Sequence, residues 1–189
     1  MDIVSRVKNL LTTPQTEWPV IASEPGEPQQ VYTSYVVILA AIPAVAQLIG
    51  LLILLRFFAF GSVLFLAILT FVVMALSPAI IAFIMAKLGP QLGAPDDLNG
   101  ALKLVAYSFT PYWIAGAIYI LVFILPGLLI WIVILLGAAY GLWLLWLGTP
   151  IIMKTAPDKT PVYVGATAVV SIVVVGVLLS IASRIAFGF

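Results

Sequence analysis

The chain has 189 residues, of which 64% are hydrophobic and 8% charged, with a formal net charge of +1. Ordinary soluble domains carry about 25% charged residues, and a near-neutral chain lacks the electrostatic footprint of a nucleic-acid binder. Cysteine and histidine are both absent, which excludes disulfides, thiol catalysis, serine–histidine triads and metal or haem sites built on thiolate or imidazole.

The first 32 residues form no signal peptide, because no apolar run directly follows Arg6 and Lys8. Ile3, Val7, Leu10 and Leu11 fall at i, i+4, i+7 and i+8, and so share one helical face, with Arg6, Lys8 and Asn9 off that stripe. The pattern predicts a short amphipathic helix. It either lies on the cytoplasmic leaflet without inserting or packs on the loops of the membrane domain. Thr13-Pro14 starts a further helix, Trp18 suits an interfacial anchor, and Glu24-Pro25-Gly26-Glu27-Pro28 reads as a turn-rich linker.

Four stretches then lack charge altogether: residues 28–55, 57–86, 104–153 and 160–183. A bilayer asks for about 20 apolar residues per helix, so each is long enough to span. The first predicted span covers residues 33–55, ended by Arg56, with Phe57, Phe58 and Phe60 placed at the interface. The second covers residues 62–88 and contains Ser77-Pro78, which removes a backbone hydrogen bond and predicts a kink. After the loop of residues 89–97, Asp96 or Asp97 caps the third span, residues 98–122, where either suits the positive helix end. The gap of residues 104–153 would reach about 75 Å as one helix, far beyond the hydrocarbon core. It must fold back at Leu125-Pro126-Gly127, giving a fourth span over residues 127–147 ended by Gly148-Thr149-Pro150. Thr160-Pro161 opens the fifth, which ends near Phe187.

The fold class is therefore all-α: a polytopic bundle of five transmembrane helices, residues 33–189, behind a short N-terminal segment, residues 1–32. Five spans put the termini on opposite sides. Arg6, Lys8, Lys87, Lys103, Lys154 and Lys159 fall on the N-terminal side, and Arg56 and Arg184 on the other. The positive-inside rule then places the N-terminus in the cytoplasm and Phe189 outside, in the inner membrane.

Several landmarks in this order resemble one family. They are Thr13-Pro14 with Glu17-Trp18-Pro19, the run Ala101-Leu102-Lys103-Leu104-Val105-Ala106-Tyr107-Ser108 leading to Thr110-Pro111-Tyr112-Trp113, and Leu147-Gly148-Thr149-Pro150-Ile151-Ile152-Met153-Lys154. Together they look like the bacterial branch of the Yip family, the Ypt-interacting-protein membrane domains. The resemblance implies a five-helix membrane domain with a cytoplasmic N-terminus and a non-enzymatic role in organising, scaffolding or recruiting at the membrane. The long cytoplasmic region of the eukaryotic members is reduced here to about thirty residues, so their association with Rab-type GTPases does not carry over.

The candidate functional residues are few. Lys103, Tyr107 and Thr110-Pro111 share one face of the third span, beside Ser108 and Asn99. An intramembrane lysine is a functional candidate, but Lys103 is shallow enough to snorkel to the headgroups or to pair with Asp96 or Asp97. The alternative function is a small channel or transporter with a polar path along Lys103 and Tyr107 and Asp96 or Asp97 at its mouth. It predicts a water-filled cavity reaching those residues, whereas a scaffold predicts a sealed bundle. Asp96 and Asp97 carry the oxygen chemistry of a hard-cation site, yet capping explains two isolated carboxylates, and no metal or cofactor is assigned. Gln47 needs an interhelical partner. Gly137 and Gly141 form a Gly-x-x-x-Gly pair for close helix approach, within the chain or in a homo-oligomer. Trp113, Trp131, Trp143 and Trp146 read as interfacial belts. The expected partners are the lipid bilayer and a membrane or cytoplasmic protein, with no nucleic acid.

Overall fold

The computed structural model describes residues 2–25, 27–56 and 59–187, which form helices and short connections with no strand among them. The interfacial placement of Phe57 and Phe58 and the outer position of Phe189 fall outside these residues. Two short helices come first, α1 (Ile3–Thr12) and α2 (Pro14–Ser23). Five helices long and apolar enough to cross a membrane follow: α3 (Pro28–Leu54), α4 (Phe60–Leu92), α5 (Leu98–Leu121), α6 (Gly127–Ile152) and α7 (Thr160–Phe187).

Local chemistry explains most boundaries. The Asp2 carboxylate accepts from the Ser5 amide and caps α1. Pro14 and Pro28 open α2 and α3, where a missing N–H costs nothing. The first span thus begins five residues earlier than expected, and Tyr32–Val36 is π-helical within it. The fourth span also overruns its expected end. Pro150 lies inside α6, and the Thr149 hydroxyl donates to the Leu145 carbonyl at 2.6 Å, occupying an acceptor in the disturbed turn. Ser77 does the same beside Pro78, donating to Val73 O at 2.5 Å, and α4 runs through the proline as one helix. In α5 the helix is interrupted at Phe109, ahead of Pro111, although the Phe109 amide still donates to Val105 O at 3.0 Å, and it tightens to a 3-10 turn over Gly116–Leu121.

The third span, α5, is the centre of the bundle. It packs on α3, α4 and α6, while α7 lies along α4 and one side of α6. Half of the apolar window of α5 is buried, against 17% for α7, so α7 is a peripheral helix that turns most of its surface to the membrane. Close approach is set by missing side chains. A Cβ on Gly137 would sit 2.6 Å from Ala115 Cβ and 2.8 Å from Pro111 O, and one on Gly141 would sit 2.6 Å from Ser108 O. The Gly-x-x-x-Gly pair therefore seats α6 on α5 inside one chain. Between α3 and α4, Thr70 donates to Gln47 Oε1 at 2.7 Å, giving the half-buried amide its interhelical partner.

Two of the expected aromatic positions are overturned. Trp113 and Trp18 are fully buried in the core, whereas Trp131, Trp143 and Trp146 face outward. An indole looks equally suited to either setting in sequence; only the packing partner distinguishes them.

Candidate functional site: a buried polar cluster under the N-terminal hairpin

Helices α1 and α2 pair as a hairpin and lodge against α5 and α6. Of the two expected placements this is nearer to packing on the membrane domain, with the spans in place of its loops. The Tyr140 hydroxyl donates to the Leu11 carbonyl at 2.9 Å, and Tyr140 lies roughly 18 Å along α6 from Ile152 at 1.5 Å per residue. The hairpin thus reaches between the spans instead of resting on their loops. Arg6, placed off the apolar stripe, is 3% exposed.

A buried guanidinium requires partners, and the hairpin supplies them. Arg6 Nη1 donates to Glu17 Oε1 at 2.5 Å, and Nη2 to the Glu24 carboxylate. Asn9 Nδ2 donates to the second Glu17 oxygen at 2.9 Å. The Arg6 guanidinium stands 5.4 Å from the centre of the Tyr107 ring, a cation–π distance. Glu17 reaches Arg6 because Thr13-Pro14 turns the chain and starts α2, bringing its first turn back beside α1. Trp18, the next residue, fills the space over Gly148, where a Cβ would stand 2.7 Å from its ring. Its ring meets Tyr107 edge-on at 6.5 Å, and Tyr107 meets Tyr35 at 4.7 Å. Deeper still, the Tyr35 and Thr110 hydroxyls share a 2.7 Å hydrogen bond.

Lys103 neither snorkels to the headgroups nor pairs with an aspartate. Its Nζ donates to the Glu24 backbone carbonyl at 2.6 Å, and the residue is 8% exposed. The aspartates are engaged elsewhere. Asp96 pairs with Lys87 at 2.7 Å on the exposed surface, a contact worth about 0–1 kcal/mol. Asp97 Oδ1 accepts from the Gly100 amide at 2.9 Å and caps α5. The structure therefore brings Lys103 and Tyr107 together and leaves Asp96 and Asp97 out of their cluster. No group of three or more acidic side chains that would hold a metal ion occurs among the described residues. Replacing Asp97 by alanine is expected to lower stability by about 1 kcal/mol through loss of the cap, with Asp97→Asn near wild type. Thermal melts of the two variants in detergent check this.

Sequence reasoning missed Arg6, Asn9, Glu17 and Glu24 as members of the site. The available signal was the pair Arg6 and Glu17, opposite charges brought together by the Thr13-Pro14 turn. Tyr107 is 7% exposed, and Thr110 is fully buried. Two hollows lie elsewhere, on the apolar flanks of the bundle. One of about 410 Å³ is lined by Ile38, Val45, Ile49 and Ile120 among others, and one of about 210 Å³ by Leu51, Ser62, Phe65 and Ala186 among others; neither is lined by Lys103 or Tyr107.

No curated protein and no solved structure matches the chain. A family model described as the Yip1 domain matches residues 8–179, from the hairpin through most of α7, and the chain belongs to that family.

Proposed function

We propose that this chain is a non-enzymatic membrane protein that organises the bilayer or recruits a partner protein to it, seated in the inner membrane with its N-terminus in the cytoplasm. The observation that carries this reading is the closure of the polar face of α5. Lys103 and Tyr107 lie under the hairpin, 8% and 7% exposed, so the side chains that would line a solute path are filled in by the chain itself. What the N-terminal side presents instead is an exposed polar surface that includes Lys8, Glu27, Lys87, Asp96, Asp158 and Lys159. The six-to-two distribution of basic residues supports the orientation.

The competing channel or transporter reading requires water at the α5 face. The native chain lacks cysteine, so single cysteines report access cleanly. Thr110→Cys, near-isosteric and deep on that face, is expected to stay inert towards a membrane-impermeant thiol reagent while Asn99→Cys reacts. Ready labelling of Thr110→Cys would favour a water-filled path. In sealed vesicles, Ser5→Cys and Ala156→Cys, the latter at an exposed position, should label from one side and Gly188→Cys from the other. Labelling of all three from one side would contradict the proposed orientation.

A further inference from the structure

We propose that the α1–α2 hairpin is a withdrawable plug, which leaves its seat as a folded unit and opens a polar vestibule on the faces of α5 and α6. This stands whether or not the chain recruits a partner.

The argument begins with where the charges are satisfied. Arg6, Asn9, Glu17 and Glu24 bond to one another, all within the segment that precedes α3. Withdrawal therefore breaks none of these ion pairs. A charged hairpin whose partners belonged to the bundle would have to strand buried ions in order to leave, which is costly. Here the ionic contacts hold α1 to α2, and different contacts hold the hairpin to the bundle. Those are the Lys103 bond to Glu24 O, the Tyr140 bond to Leu11 O, the stacking of Arg6 on Tyr107, Trp18 on Gly148, and the apolar packing of Leu10, Trp18 and Ile21, all fully buried in the core. Both hydrogen bonds run from a bundle side chain to a hairpin backbone carbonyl, groups that water satisfies equally well.

The second strand of the argument is what the hairpin covers. Tyr140, Leu144 and Gly148 recur at one-turn spacing along α6, so Leu144 lies between the residue that holds Leu11 and the one that holds Trp18. Leu144 is fully buried. On the α5 side of the seat, Lys103 meets Glu24 O and Tyr107 meets Trp18. A lysine at this position is tolerable when paired or when wet. The docked state gives it a partner, and the withdrawn state gives it water. The seat thus has two states that both satisfy its polar groups, as a gate requires. Trp18 Nε1 has no hydrogen-bond partner when docked, a donor that gains one on release.

The Arg6–Glu24 pair travels with the hairpin, and the wedge is Trp18. Gly148→Val would drive a side chain into the space of the Trp18 ring and against Leu104 Cδ1 of α5, and Trp18→Ala, which leaves the α5–α6 contact untouched, would remove the wedge altogether. Each is made in the full chain carrying Leu144→Cys as reporter and is followed with a membrane-impermeant maleimide in nanodiscs. In the otherwise native chain, Leu144→Cys is expected to react slowly but to completion. In both displaced variants the rate should rise on the order of tenfold or more, with far-UV helicity and particle size unchanged. Two results would overturn the proposal. One is a reporter that stays inert in all three chains while the bundle remains folded. The other is collapse of the bundle in both displaced variants, which would make the hairpin an integral part of the core.

Discussion

Replacing Gly137 or Gly141 by leucine is expected to cost the bundle on the order of 3 kcal/mol or more per site, at or above the usual range for overpacking. The reason is the identity of the atoms in the way. The obstacles are Ala115 Cβ and Pro111 O at Gly137, and Ser108 O at Gly141, all at or below 2.8 Å from the added Cβ. Backbone and a methyl group have no rotamer to yield. Even alanine should destabilise at these sites, although in an open helix it gains about 1 kcal/mol over glycine. Gly165 and Gly176 on α7 supply the control, since a Cβ there meets nothing within 4 Å. Alanine at either should be neutral or slightly stabilising. The measurement is thermal stability with particle size in detergent. The contact lies within one chain, so size should not change. A smaller particle at unchanged stability would reassign the pair to a contact between copies.

The second large effect is expected at Arg6. Arg6→Ala strands the Glu17 carboxylate, whose side chain is 4% exposed, with Asn9 as its remaining hydrogen-bond partner. Breaking a buried pair from one side costs roughly 3–5 kcal/mol. That cost should appear locally, because the pair joins α1 to α2. Residues 3–23 should lose amide protection in hydrogen exchange, and the N-terminal segment should become sensitive to protease, while the five spans hold. Arg6→Met combined with Glu17→Gln should recover much of the loss, because no uncompensated ion remains. Added salt should matter little, since buried pairs are weakly screened. Protection of residues 3–23 that survives Arg6→Ala would show that apolar packing alone seats the hairpin.

Both effects arise where the sequence was only half legible. The Gly-x-x-x-Gly spacing of Gly137 and Gly141 announced a close approach but named no partner helix. Two missing Cβ atoms define a groove, whereas the ridge that enters it comes from residues 108–115, elsewhere in the chain. The stripe of Ile3, Val7, Leu10 and Leu11 announced an amphipathic helix, and Arg6 was placed on its wet side. A helix buried on more than one face breaks that inference, and α1 is such a helix because α2 folds back and covers its polar side with Glu17. Lys103 was legible as an anomaly and misread as to partner. The aspartates nearest in sequence are taken by Lys87 and by the Gly100 amide, and the oxygen it meets belongs to Glu24, 79 residues away.

The sequence by itself determined the number of spans, their rough limits and the all-helical class. The reason is that a bilayer penalises charge and unpaired backbone so steeply that fifteen charged residues mark out where helices cross. Only the tertiary structure decided that α5 is the centre, that Trp18 and Trp113 lie in the core while Trp131, Trp143 and Trp146 do not, and that the chain's own N-terminus closes its polar face. Periodicity reports which residues share a face of one helix; what covers that face is a contact between distant segments, and no local pattern encodes it.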